Sequence, residues 1–270
     1  MMFVKMIGPN EWRFSNLAVT PQIQQDFDDA MEIWESGDIQ RAESQLKYVH
    51  VCCPSHIDAI HHLGLIFEQT ERPFEAYLCA REGSRLGLDA LPSEFSWLTA
   101  RLSWGILDNR PFMRAYCSLG VWHLRLHEVL KATELFKRLV TVNPNDNQGA
   151  RYLLAHCYLS TSTWDSVIEL TNQYQDDSSP EITYSRALAL ISNGHVDDGE
   201  AELQSAYEQF PLVAKELLKR RHTRPASDFP GYITHGGADQ AYEYWKWNGN
   251  LWRKNKPAMR ALLTVVNAAG

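Results

Sequence analysis

Residues 113–146 read MRAYCSLGVWHLRLHEVLKATELFKRLVTVNPND. Apolar residues recur here at helical spacing in two runs, and the second run ends at Pro144, which cannot continue a helical hydrogen-bond ladder. Leu119 is followed by the small Gly120, Ala132 stands early in the second run, and Phe136 follows it by one turn. Small residues at two facing points let a pair of helices approach closely, and an aromatic fills the hole left between one pair and the next. The stretch is a helix hairpin whose apolar stripe needs neighbours to cover it.

The same spacing recurs outward from this stretch. Residues 57–88 hold Leu63-Gly64, Phe67 and Ala76; residues 180–211 hold Ala187, Gly194, Leu203, Ala206 and the closing Pro211. Residues 23–54 fit through Ala30, Gly37, Ala42 and Pro54. The weakest copy, 148–179, keeps Leu154-Ala155 and Tyr158 but has Val167 where alanine is expected. A period of about 34 residues with these small positions is the tetratricopeptide pattern. The closing prolines agree: Pro144 and Pro211 lie 67 residues apart, whereas Pro54 and Pro144 lie 90 apart, a surplus of about 22 over two periods. The surplus falls at 89–112, which contains Pro92, Phe95, Trp97, Trp104 and Pro111 and reads as an extra helix.

The expected architecture is therefore an all-α, right-handed helical-repeat solenoid of about five tetratricopeptide-like helix pairs with a C-terminal helical cap. Its parts are an N-terminal extension (1–22), repeats one and two (23–88), the inserted helix (89–112), repeats three to five (113–211) and capping helices (212–270). In the cap, 212–221 reads as a helix and 223–237 as a loop. The helix from Ala238 to Trp252 follows, and the last one opens near Pro257. No β-alternation and no Gly-rich phosphate loop competes with this reading.

Apolar residues at 44% and charged residues at 22% are ordinary globular values, which argues against wholesale disorder. The net charge of −7 speaks against nucleic-acid binding, because only residues 219–224 are locally basic. No segment approaches the roughly 18–20 apolar residues of a membrane span, and residues 1–14 lack the features of a signal peptide. Five cysteines, Cys52, Cys53, Cys79, Cys117 and Cys157, are an odd number, three of them within apolar helical patterns; free thiols in a reducing cytoplasm are expected.

Two strings, WGILDNRPFMRA at 104–115 and VNPNDNQGARYLLA at 142–155, resemble the suppressor-of-tumorigenicity-seven family and its bacterial tetratricopeptide relatives. The segment Tyr242 to Leu263 is similar to the end of those relatives. The resemblance implies a helical-repeat fold and no defined activity. Its polar positions fall on Arg110, Arg114, Asn147, Gln148 and Arg151.

In the repeat frame Arg114 lies near the start of one first helix, and Asn147, Gln148 and Arg151 open the next. Guanidinium groups with side-chain amides suit a carboxylate, as in capture of an acidic peptide or a chain terminus. The plainer reading is that the asparagines cap helices and Arg151 ties neighbouring repeats. The Lys/Asn pattern of a chaperone-tail clamp is absent. Tyr152 and His156 extend this set, and Trp247 is a candidate anchor off the Tyr242, Trp245 and Trp252 stripe, with Tyr244.

His50, Cys52, Cys53, His56, His61 and His62 are zinc-type ligands within 13 residues, but their spacing matches no standard site, so no metal and no cofactor is expected. Asp176-Asp177 and Asp197-Asp198 are adjacent pairs that diverge on a helix, and Cys157 beside His156 gives no placed nucleophile. The expectation is a non-catalytic scaffold or adaptor that binds a protein or peptide. The alternatives are a structural subunit or oligomerisation platform, and a metal-binding or redox-sensing regulator. The oligomeric state stays open.

Overall fold

The computed structural model describes residues 1–226 and 232–268. The chain divides into two compact units, Met1–Ala150 and Arg151–Gly270. In the first, strands β1 (Met2–Gly8) and β2 (Glu11–Asn16) form an antiparallel hairpin. Helices α1 (Pro21–Glu35), α2 (Ile39–Cys52), α3 (Ile57–Gln69), α4 (Pro73–Asp89), α5 (Arg110–Arg125) and α6 (Val129–Val142) follow, with a 3₁₀ turn at Leu107–Asn109. The second unit holds α7 (Ala150–Ser160), α8 (Trp164–Gln173), α9 (Pro180–Ser192), α10 (Val196–Gln209), α11 (Pro211–Leu218), α12 (Ala238–Lys254) and α13 (Lys256–Ala268).

The repeat is written in the backbone of the turns. Each link from the first to the second helix of a pair carries one residue in the left-handed region: Gly37, Glu71, His127, Ser162 and Gly194, with φ between 57° and 92°. This conformation at a helix C-terminus satisfies the last carbonyls, and only glycine adopts it without a steric cost. Glu71, His127 and Ser162 follow the same path despite their Cβ atoms. From Glu71 to His127 the interval is one period plus the 22-residue surplus.

Helix starts are equally explicit. Proline occupies the first turn of α1, α4, α5, α9 and α11, where its missing N–H costs nothing. Thr20 caps α1 through Ile23 N–H at 3.3 Å, and Asp38 caps α2 through Arg41 N–H at 3.2 Å.

The core of the first unit joins Phe27, Ala42, Leu46, Leu63, Phe67, Ala76 and Leu119. That of the second joins Leu159, Val167, Tyr184, Ala187, Leu203, Ala206, Phe210, Tyr244 and Trp252. The small positions of the pattern do what the spacing requires: Ala30, Ala42, Ala132, Ala187 and Ala206 have no exposed surface. Gly120 lies so close to Phe136 that a Cβ there would sit 2.6 Å from its ring.

Two expectations are corrected. The N-terminal extension is a β-hairpin, and residues 89–112 do not form an inserted helix. Helix α4 ends at Asp89, and 90–106 runs as turns and extended chain to the 3₁₀ turn. Pro92 interrupts helical pairing, and the segment's backbone groups are taken by other partners. Ala90 C=O accepts from Val4 N–H at 3.2 Å, Arg101 bonds Asn10 and Trp12 at 2.7 and 2.8 Å, and Leu102 N–H donates to Val142 C=O at 2.8 Å. Trp97 stacks on Tyr116 at 5.5 Å, and Phe95 meets Trp12 edge-on at 5.6 Å. The segment and the hairpin therefore account for each other: each supplies the other's hydrogen bonds. Asn109, fully buried, completes the joint by accepting from Phe14 N–H at 3.0 Å and donating to Trp12 C=O at 3.0 Å.

Candidate functional site

Arg110 and Arg114 are one turn apart on α5. Arg110 donates from Nε to Trp104 C=O at 2.9 Å and lies 5.1 Å over the Trp104 ring, so it ties the 90–106 segment to α5. Arg114 donates to both carboxylate oxygens of Asp58 on α3, at 2.8 and 2.6 Å. Asn147 is exposed and Gln148 half-buried, and both lie in the turn before α7. They do not open that helix: it starts at Ala150, whose N–H is taken by the Asp146 carboxylate at 2.8 Å. These four residues belong to the first unit.

Arg151, Tyr152, His156 and Trp247 belong to the second unit. Arg151 donates from Nε to Asp177 at 2.6 Å and from Nη2 to the Tyr152 hydroxyl at 2.5 Å, and its guanidinium lies 4.2 Å over the Tyr152 ring and 5.2 Å over Tyr174. Burial alone would raise the Asp177 carboxyl, but hydrogen bonds from Ser179 and Arg151 hold it below its ordinary range. Burial raises the Tyr152 phenol. Tyr152 and His156 are four residues apart and share a helix face.

His156 Nδ1 meets Asn248 Oδ1 at 3.0 Å, and its ring meets Trp247 at 5.3 Å, edge-on. Its pKa is lowered by burial against the raising effect of Asn248, so the neutral ring is favoured at physiological pH. Trp247 keeps 37% of its surface exposed, as its place off the aromatic stripe implies. Tyr244 differs from expectation: it is 1% exposed and accepts from Trp252 Nε1 at 3.0 Å, because an i, i+8 pair also falls on one helix face.

Three histidines of the His50–His62 string hold structural positions on α3. His56 caps α3, accepting from Ala59 N–H at 3.1 Å. His61 is buried and its pKa is held down to about 3 by desolvation, with His62 and Arg114 adding to the effect. His62 bonds Asp58 C=O at 2.8 Å. Burial pushes the Cys79 and Cys117 thiols up to about 12, far from reactive thiolates. Among the described residues no group of three or more His, Cys, Asp or Glu is placed to hold a metal ion. Among those residues no helix is long and apolar enough to cross a membrane.

The partners of Arg114 and Arg151, 56 and 26 residues away, are what sequence reasoning missed. The repeat frame held the signal, since Asp58 occupies the start of one first helix and Arg114 that of the next.

The family model described as transcriptional repressor TCF25 matches residues 24–245. This is a different family name from the one that the 104–155 strings resemble. No curated protein matches the sequence. The crystal structure of YrrB, described as a TPR protein with an unusual peptide-binding site, is similar with a TM-score of 0.52 and 16% identity, over 68% of this chain and 84% of that one. The crystal structure of MamA is similar with a TM-score of 0.52 and 19% identity, over 74% of this chain and 98% of that one. At such identities the likeness concerns the fold: an all-α helical repeat of tetratricopeptide type.

Proposed function

We propose that this chain, which belongs to the Tcf25 family, is a non-catalytic scaffold or adaptor that holds a protein or peptide partner. The observation that carries the reading is the set on α7 and α12: an exposed Trp247 beside a neutral His156, with Tyr152 and Arg151 along the same stretch of α7. Tryptophan, tyrosine and arginine are the residue types that dominate binding energy at interfaces. The Asp177 contact fixes the Arg151 side chain in place, which lowers the ordering cost of binding.

In the first unit the same reading assigns Arg110, Arg114, Asn147 and Gln148 to a separate polar contact surface. Helical repeats present extended surfaces suited to peptides and helices, and the peptide-binding site in the description of YrrB is in keeping with that use. A cytoplasmic location fits the five free cysteines.

Affinity capture from native lysate, with wild type beside an Arg151→Ala/Trp247→Ala variant, tests the reading. A partner held by wild type and lost from the variant, with unchanged circular dichroism, is the expected result. Equal recovery by both would remove the site.

A further inference from the structure

The arginines best placed by sequence for an acidic partner are already neutralised, Arg114 by Asp58 and Arg151 by Asp177. Cations without such partners collect elsewhere. Of 26 Lys/Arg and 33 Asp/Glu in the chain, the first 210 residues hold 16 and 29. Residues 211–270 thus carry 10 cations against 4 carboxylates, a balance of +6 in a chain whose total is −7.

The His222 side chain, itself buried, ties the chain after α11 to α12 within this segment. The His222 ring lies flat on Trp245, 3.7 Å away with planes 10° apart. Its Nδ1 meets Glu216 Oε1 at 2.8 Å, and its Nε2 meets Arg253 at 2.6 Å. Arg253 can only donate, so Nε2 is the acceptor and Nδ1 carries the proton to Glu216. The His222 and Glu216 side chains are 5% and 4% exposed. The chain after α11 is therefore strapped to α12, and exposed Arg220 and Arg221 are held within two residues of a group bonded to Arg253. Lys254 follows directly, and Lys256 and Arg260 stand one turn apart at the start of α13. Among the described residues none of Arg220, Arg221, Lys254, Lys256 and Arg260 forms an ion pair, and Glu216 is already engaged by Lys219 and His222.

We propose that this basic cap on α11–α13 is the docking surface for an acidic peptide segment of a partner protein. The proposal rests on the scaffold reading and names the chemistry of one partner and a second place where it binds. Guanidinium forks match carboxylates in pairs, and the strap fixes the backbone beside Arg220 and Arg221, which lowers the ordering cost of binding. A nucleic acid is disfavoured by scale. Its affinity grows with the number of phosphates neutralised, and a duplex extends beyond a few cations into the field of a chain with a net charge of −7.

Fluorescence anisotropy of a fluorescein-labelled peptide of alternating Asp and Glu tests this on the full chain. Wild type is expected to bind at low salt and to weaken as salt rises. Arg220→Glu/Arg221→Glu is expected to lose at least about tenfold in affinity, or about 1.4 kcal/mol. Lys254→Glu/Lys256→Glu, which leaves the His222 strap intact, provides a second variant with the same expected loss. Lys5→Glu on the hairpin is expected to bind the peptide as wild type does, and lysate capture by Arg151→Ala/Trp247→Ala is scored independently of this titration, so loss of the cap and loss of the α7/α12 surface are read separately. No binding by wild type, equal binding by both cap variants, tighter binding of a single-stranded oligonucleotide of equal charge, or salt-sensitive self-association that the peptide does not compete would each overturn the proposal.

Discussion

Arg114 on α5 donates to both carboxylate oxygens of Asp58 on α3, across 56 residues of sequence. The pair is half-buried, with side chains 32% and 16% exposed, so each charge depends on the other for much of its solvation. Arg114→Ala is expected to lower stability by about 1–3 kcal/mol, because it strands the Asp58 carboxylate. Urea unfolding measures this; an unchanged midpoint would show that the pair is only a surface contact. A screen for partner binding by Arg114→Ala therefore needs a stability control.

Gly120 and Gly64 occupy the same place in two repeats but differ in clearance. A Cβ at Gly120 would lie 2.6 Å from the Phe136 ring, whereas one at Gly64 would lie 3.0 Å from Cys79 Cβ. Alanine gains about 1 kcal/mol of helix propensity over glycine at either position. Gly120→Ala is expected to be net destabilising by about 1–3 kcal/mol through overpacking, and Gly64→Ala to be within about 1 kcal/mol of neutral. Thermal unfolding of the two variants side by side checks the difference. Equal shifts would mean that the Phe136 ring moves aside freely.

These glycines also mark what the sequence made legible. Leu63-Gly64, Leu119-Gly120, Ala132, Ala187 and Ala206 follow a steric rule that repeats, so the helix pairs could be placed without a structure. The hairpin could not. Its alternation is confined to Trp12 and Phe14 around a Pro9-Asn10 turn, too short to stand against a helical background. The segment after Asp89 reads as an extra helix because the surplus of about 22 residues between Pro54 and Pro144 needs an occupant, but the conformation of 90–106 is set by a hairpin some 90 residues earlier. The candidate site was legible as residue types and not as pairings. That Arg151 meets Asp177, and that His156 meets Trp247, depends on tertiary placement that no local pattern encodes.

Asn109 bonds both Phe14 N–H and Trp12 C=O inside the first unit. Asn109→Ala leaves two buried backbone groups without it, at about 1–3 kcal/mol each. The expected outcome is local: faster hydrogen exchange and protease cleavage in β1–β2 and 90–106, with α9 and α10 unchanged. Uniform loss of protection through both units would contradict this local role.

His61 ties stability to pH. Its folded pKa of about 3 lies below the unfolded value of about 6.5. The unfolded state therefore binds the proton first, and His61's contribution, complete above pH 6.5, is lost as pH falls towards 3. At pH 5 the loss is about 2 kcal/mol. His56, whose pKa burial also lowers, adds in the same direction. Replacing His61→Leu is expected to flatten the stability profile between pH 6.5 and 4, read from urea midpoints at each pH. A variant profile parallel to wild type would show that His61 does not resist protonation.

A partner-binding surface on α7 and α12 is open to hydrogen exchange, measured on the chain alone and with its captured partner. The expected result is slowed exchange in α7 around Arg151–His156 and in α12 around Trp247, with loss of that protection in Trp247→Ala. Protection confined to other elements, with α7 and α12 exchanging as in the free chain, would contradict it.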